Sequence, residues 1–340
     1  MAAAVSTSGS NAPSSHPLRM SRRTFLKTGT AGLGALGVSA ALPPVPALAA
    51  QRHIALGAFT ATLPWDFSSI DEYTRLSGNP PRIIHWFQDW KMPFNASYMN
   101  QARRRGAIPM VSWEPWDWNG NRTHQPRYSL KRILSGAHDP YIRRWARRAA
   151  AWGRPFYLRF AAEMNADWDT WSPGVNGNTA RQYVAVWRKV HRMFRRAGAS
   201  KVRWVWCPVV YYEGSTPFEK VFPGDAYVDW VGLDGYNWGN TQPWSSWQSA
   251  AEIFSRSYRM AGRLSKKPFM IPEIASTEHG GNKARWINRA LLDEIPSRFP
   301  RVKAVVWFDA DKETDWRINS SPSALRAWRK AAASPLYRRR

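Results

Sequence analysis

Cysteine is almost absent. Cys207 is the only one in 340 residues, so no disulfide can form within the chain and stability must come from an apolar core. No other Cys or His lies near it at metal-ligand spacing, and it reads as a buried strand residue. Acid is scarce too: 24 Asp and Glu stand against 49 Lys and Arg, a net charge of +25. Such a field attracts anionic surfaces, acidic glycans or nucleic acid. The arginines are spread along helical stretches, as in Arg143-Arg144, Arg147-Arg148 and Arg195-Arg196. That reads as solvated helix faces, and no nucleic-acid partner is expected. The chain also lacks an apolar run long enough to span a bilayer, so no stable membrane insertion is expected. The stretch after the first strand, Phe59 to Leu63, is no Gly-rich phosphate loop. No metal-ligand cluster is visible, and neither a metal nor another cofactor is expected.

What is present begins with an address. Ser21-Arg22-Arg23-Thr24-Phe25-Leu26-Lys27 is a twin-arginine signature, followed by a Gly/Ala-rich, weakly apolar stretch and Ala47-Leu48-Ala49 as a cleavage site. Residues 1–49 read as an export signal peptide, and 50–340 as one catalytic domain outside the cytoplasmic membrane, extracellular or periplasmic. Four of the positive charges lie in the leader, leaving about +21 on the mature chain. A monomer is expected.

Eight short β-type runs follow: 53–59, 82–88, 107–113, 155–162, 201–208, 228–234, 268–273 and 302–309. Several are continuously apolar, as strands covered on both faces are. Amphipathic helical stretches lie between many of them, at 95–105, 141–152, 179–196, 246–264 and 283–295. Alternating β and α predicts a parallel sheet, and eight repeats favour a closed (β/α)8 TIM barrel over an open doubly wound sheet.

Two glutamates end apolar runs, Glu163 after the fourth and Glu273 after the seventh. A carboxylate is costly to bury, so either each is a paired structural group or the two form a catalytic pair. A barrel gathers the C-terminal ends of its strands at one mouth, which favours the pair. Tryptophan is abundant, with 21 residues, and Trp86, Trp90, Trp113, Trp116, Trp118, Trp168, Trp171 and Trp238 cluster just after strands. Aromatic faces of this kind stack on the C–H faces of sugars.

These segments resemble glycoside hydrolase family 26, in the retaining clan A. The resemblance rests on Ser112-Trp-Glu-Pro115, Leu158-Arg-Phe-Ala-Ala-Glu-Met-Asn165 with Trp168, Asp229 to Trp238, and Lys267 to Ser276. Gly280 to Trp286 and Val305 to Asp309 extend it. It implies Glu163 as acid/base, Glu273 as nucleophile and Tyr236 as the group holding the nucleophile. It places Trp113, Trp168 and Trp307 in the sugar-binding floor, with Trp238 as an addition. The implied activity is retaining endo-hydrolysis of a polysaccharide of mannan or β-glucan type, with carboxyl groups about 5–5.5 Å apart. The alternative is a non-catalytic polysaccharide-binding protein, and a third class is an electrostatic binder of anionic polymer. The chain departs from the family at Ala162, where a His is usual, and at Ala166, where a Gly is usual. Ala162 implies an altered subsite near the sugar 2-hydroxyl. His85 reads as a surface histidine, and Asp309 and Asp311 as hydrated or Arg-paired.

Overall fold

The computed structural model describes residues 53–338; the export signal expected over 1–49 lies outside them. Nine parallel strands are β1 (Ala55–Thr60), β2 (Ile83–Asp89), β3 (Ile108–Glu114), β4 (Phe156–Phe160), β5 (Val202–Trp206), β6 (Trp230–Gly232), β7 (Gly235–Asn237), β8 (Phe269–Ser276) and β9 (Val302–Asp309). They run in the order β6-β5-β4-β3-β2-β1-β9-β8-β7, and β6 also pairs with β8. The sheet is therefore closed. β6 and β7 are halves of one barrel strand, so the barrel has the expected eight staves. Asp234 falls between the halves, bridged to Val209.

The helices are α1 (Ser68–Ser77), α2 (Ala96–Arg104), α3 (Leu130–Leu134), α4 (Asp139–Trp152), α5 (Ala180–Arg196), α6 (Phe218–Val221), α7 (Ala250–Leu264), α8 (Lys283–Arg289), α9 (Ile295–Arg298) and α10 (Pro322–Ala332). Their starts follow capping chemistry. Thr179 and Gln182 form a capping box on α5, as Ser249 and Glu252 do on α7. Gly153 ends α4 at φ 67°, a left-handed conformation that needs no Cβ. The run expected as one helix over 283–295 is interrupted by a wide turn at Ala290–Glu294.

Side chains alternate along each strand, and this sorts the core in two. The inner set, Ile83, Met110, Tyr157, Val205, Cys207, Met270, Ala304 and Val306 among them, fills the barrel. The outer set, including Trp86, Trp113, Phe160, Trp206 and Trp307, packs against the helices. Two strand ends depart from the expected runs. β4 stops at Phe160 because Ala161 turns to φ 43°, and Glu163 follows at φ 54°. β8 continues past Glu273 to Ser276, with its register against β9 shifted between Ile271 and Ile274. That bulge re-aims the glutamate without ending the strand.

Candidate active site

The C-terminal strand ends bring Glu163 and Glu273 together. Each offers an oxygen within 4.8 Å of the other, and Asp234 makes a third member of the same cluster. Arg159, fully buried on the inner face of β4, lies at its centre. Its Nη1 meets Glu273 Oε1 at 2.8 Å and donates to Ser112 Oγ at 2.7 Å, while its Nη2 donates to Asp234 Oδ2. Tyr236 donates its hydroxyl to the other Glu273 oxygen at 2.5 Å. Glu273 is therefore fixed by one donor on each oxygen. Cys207 Sγ, 3.1 Å from Asp234 Oδ2, lies beneath this network. The guanidinium supplies the positive charge that a cation would otherwise bring to the three carboxylates.

Glu163 is held differently. Its Oε2 accepts a hydrogen bond from Trp168 Nε1 at 3.0 Å. Its backbone is anchored by its N–H to the Cys207 carbonyl at 2.7 Å. Asn165 clamps the same turn through both side-chain ends, which bond Val209 at 2.9 and 3.0 Å. Residues held at such positive φ cost of order 1–3 kcal/mol each and persist only under this kind of restraint. Burial pushes the Glu163 carboxyl up, and the charge of Glu273 adds to the rise. Three carboxylates share one guanidinium. Asp234 and Glu273 bond to it directly, and burial still pushes the Asp234 carboxyl well above the usual range against the pull of Arg159.

A second acidic pair lies along the mouth. Glu114 Oε2 accepts from both Trp116 Nε1 at 2.9 Å and Trp118 Nε1 at 3.1 Å. Burial pushes its carboxyl up to about 7. Buried Asp169, 3.2 Å from Arg122, is pushed well above the usual range by burial and by the charges of Glu163 and Glu114.

The structure places the aromatic candidates unequally. Trp168 is half-buried beside Glu163 and stacks on Tyr212, with ring centroids 5.7 Å apart. Trp238 is half-buried against Tyr236 and Trp316. Trp113 and Trp307 need correction. Both are fully buried on the outer face of the barrel. Trp113 packs on Trp145 of α4 and Phe194 of α5, and Trp307 on Trp286 of α8 and Trp328 of α10. Neither offers a face to a sugar. Their inward neighbours are Ser112, Glu114 and Phe308. His85 is likewise corrected: it is fully buried, its Nε2 2.7 Å from Ser112 Oγ, and burial together with Arg159 lowers its pKa well below the ordinary value. Asp311 pairs with Arg317 as expected, while Asp309 accepts the Ile318 N–H and is pushed up to about 7 by burial.

Sequence reasoning missed Arg159, Asp234 and Glu114. The signal was parity: Asp234 lies two residues before Tyr236, and Glu114 two after Ser112, so each shares the inward face of its neighbour.

A closed parallel barrel with paired carboxylates at its mouth defines a glycoside hydrolase. Residues 124–319 match the model for glycosyl hydrolase family 26, and the chain belongs to that family. It is 40% identical over 284 residues to Endoglucanase H of Acetivibrio thermocellus, a match covering 81% of this chain and 30% of that protein. It is 27% identical over 158 residues to a mannan endo-1,4-beta-mannosidase of Bacillus subtilis, covering 43% and 37%. The chain thus spans less than half the length of these relatives. A GH26 β-mannanase from Bacteroides ovatus has the same fold at TM-score 0.63 and 18% identity, over 84% of this chain and 90% of that one.

Proposed function

We propose that the chain is an exported, retaining endo-β-glycanase that acts on a neutral β-glucan. The observation that carries the reading is the unequal treatment of two neighbouring carboxylates. Glu273 is doubly bonded by Arg159 and Tyr236; Glu163 has only an indole donor and is pushed toward its protonated form. Their spacing suits a nucleophile and an acid on one glycosidic bond.

In the first step Glu163 gives its proton to the leaving oxygen as a Glu273 oxygen bonds the anomeric carbon. The glycosidic bond breaks, and the aglycone leaves as an alcohol. Negative charge then drains from Glu273, which removes part of the cause raising Glu163 and readies it as a base. In the second step Glu163 takes a proton from water, hydroxide bonds the anomeric carbon, and Glu273 departs ionised. Two inversions give net retention.

Two features support a neutral glucan. Ala162 packs into the inner cluster and offers no donor toward a 2-hydroxyl. Of the relatives compared, the 40% identical one is named an endoglucanase.

The test is reducing-end release from mixed-linkage β-glucan and from mannan by the mature protein. Glucan cleavage is expected, with loss of turnover in Glu273→Gln. Glu163→Ala should lose about 10²–10⁴-fold on polymer. Azide should restore turnover of an aryl glycoside by Glu163→Ala and yield the β-glycosyl azide. Cleavage that persists in Glu273→Gln would refute the double displacement. Glycan binding without cleavage by the native chain would make it a binding protein.

A further inference from the structure

Among the described residues, two large apolar side chains are markedly exposed, Trp65 at 59% and Trp244 at 71%. Trp65 stands over a hollow of about 510 Å³ between the start of α1 and the side of α2, lined by neither Glu163 nor Glu273. That volume lies in the range of small-ligand sites. The hollow is built from fixed groups. Arg105 donates to both oxygens of Asp71 at 2.6 and 2.7 Å, and its Nη1 also bonds Gln101. Its guanidinium lies 5.1 Å from the centre of the Phe67 ring. The edge of the plate is set by Asp71 and Gln101 and one face by Phe67 before any ligand arrives, so little ordering entropy remains to be lost. Asp66 and Asp71 stand against the single Arg105 in the lining, which leaves no net positive charge to select an anion.

Trp118 donates its Nε1–H to Glu114 at the mouth and meets Trp65 edge-on, with ring centroids 5.8 Å apart. One indole therefore spans from the carboxylates to the hollow. An exposed tryptophan, a polar plate of fixed hydroxyl partners and a path from the catalytic cleft are what an uncharged sugar chain needs.

We infer that the hollow under Trp65 is a distal binding site for the neutral β-glycan chain running out of the cleft past Trp118. The inference rests on the β-glucan reading above. It makes Trp65 a residue that grips long chains and is out of reach of short ones. The experiment is calorimetric titration of Glu273→Gln, with and without Trp65→Ala, using a short and a long oligosaccharide prepared from mixed-linkage β-glucan. Because Trp65 is exposed, its removal leaves the fold intact. In Glu273→Gln the long oligosaccharide should bind more tightly than the short one. Trp65→Ala should cut that gain by about three- to tenfold, the worth of one aromatic stack. An equal gain with and without Trp65 would overturn the distal site alone. Binding of neither oligosaccharide would overturn the site together with the β-glucan reading.

Discussion

Glu114 carries a pH dependence of its own. Burial raises its carboxyl to about 7, against two indole donors that pull it down. Between roughly pH 4.5 and 7 the folded chain holds this proton while the unfolded chain has released it. Stability contributed by this group therefore falls as pH rises through that window. The full penalty is on the order of 3–3.5 kcal/mol for a shift of this size, and less in practice because the side chain keeps some solvent contact. Glu114→Gln keeps an oxygen for both indoles and removes the penalty. Its melting temperature relative to the native chain should rise between about pH 5 and pH 8; a constant difference across that range would show that Glu114 is not the titrating group. The two strand-end glutamates were legible because a carboxylate ending an apolar run is costly and rare. Trp113 and Trp307 were misread because residue type was weighed without the two-residue alternation that decides which face a strand residue occupies. Arg159 was hidden for another reason: a buried arginine looks like any other in a chain with 49 basic residues.

At the level of elements, the strand of the barrel broken into β6 and β7 is tightly fitted. A Cβ on Gly232 would lie 2.6 Å from Cys207 Sγ, 2.7 Å from Cys207 Cβ and 3.0 Å from Pro272 Cγ. Gly232→Ala should therefore destabilise by about 1–3 kcal/mol, read as a lower urea midpoint. It should also lower activity, since Cys207 and Pro272 support Asp234 and Glu273. An unchanged midpoint would mean that the strands part freely at this level. Helices were read well from sequence because the 3.6-residue apolar period and the capping pairs act locally. Strand ends were read less well. Whether Ala161 turns left-handed, or β8 bulges at Glu273, depends on contacts with strands far away in sequence, such as Cys207 with Glu163.

For the whole molecule, the basic surface and the mouth lie apart. Basic residues dominate the helix faces, among them Arg144, Arg147, Arg148, Arg192, Arg195 and Arg196, all exposed, while at the mouth Arg159 and Arg122 are each paired with a carboxylate. A polyanion such as dextran sulfate should bind at low salt, release as salt rises, and raise the KM for β-glucan less than about twofold. Strong competition with substrate would place the basic surface in the cleft. Composition gave the sign of the charge; only the fold separated the two regions. Closure of the sheet also joins the ends of the described chain. The Ile54 N–H bonds the Leu336 carbonyl at 2.9 Å, and His53 Nε2 lies 3.0 Å from the Arg338 carbonyl, both below the first strand and away from the catalytic mouth. Anything tethered at residue 53 or 338 thus hangs from the far pole of the barrel. The enzyme can be leashed to a solid by either end, or stitched into a ring and reopened elsewhere, without shading its cleft.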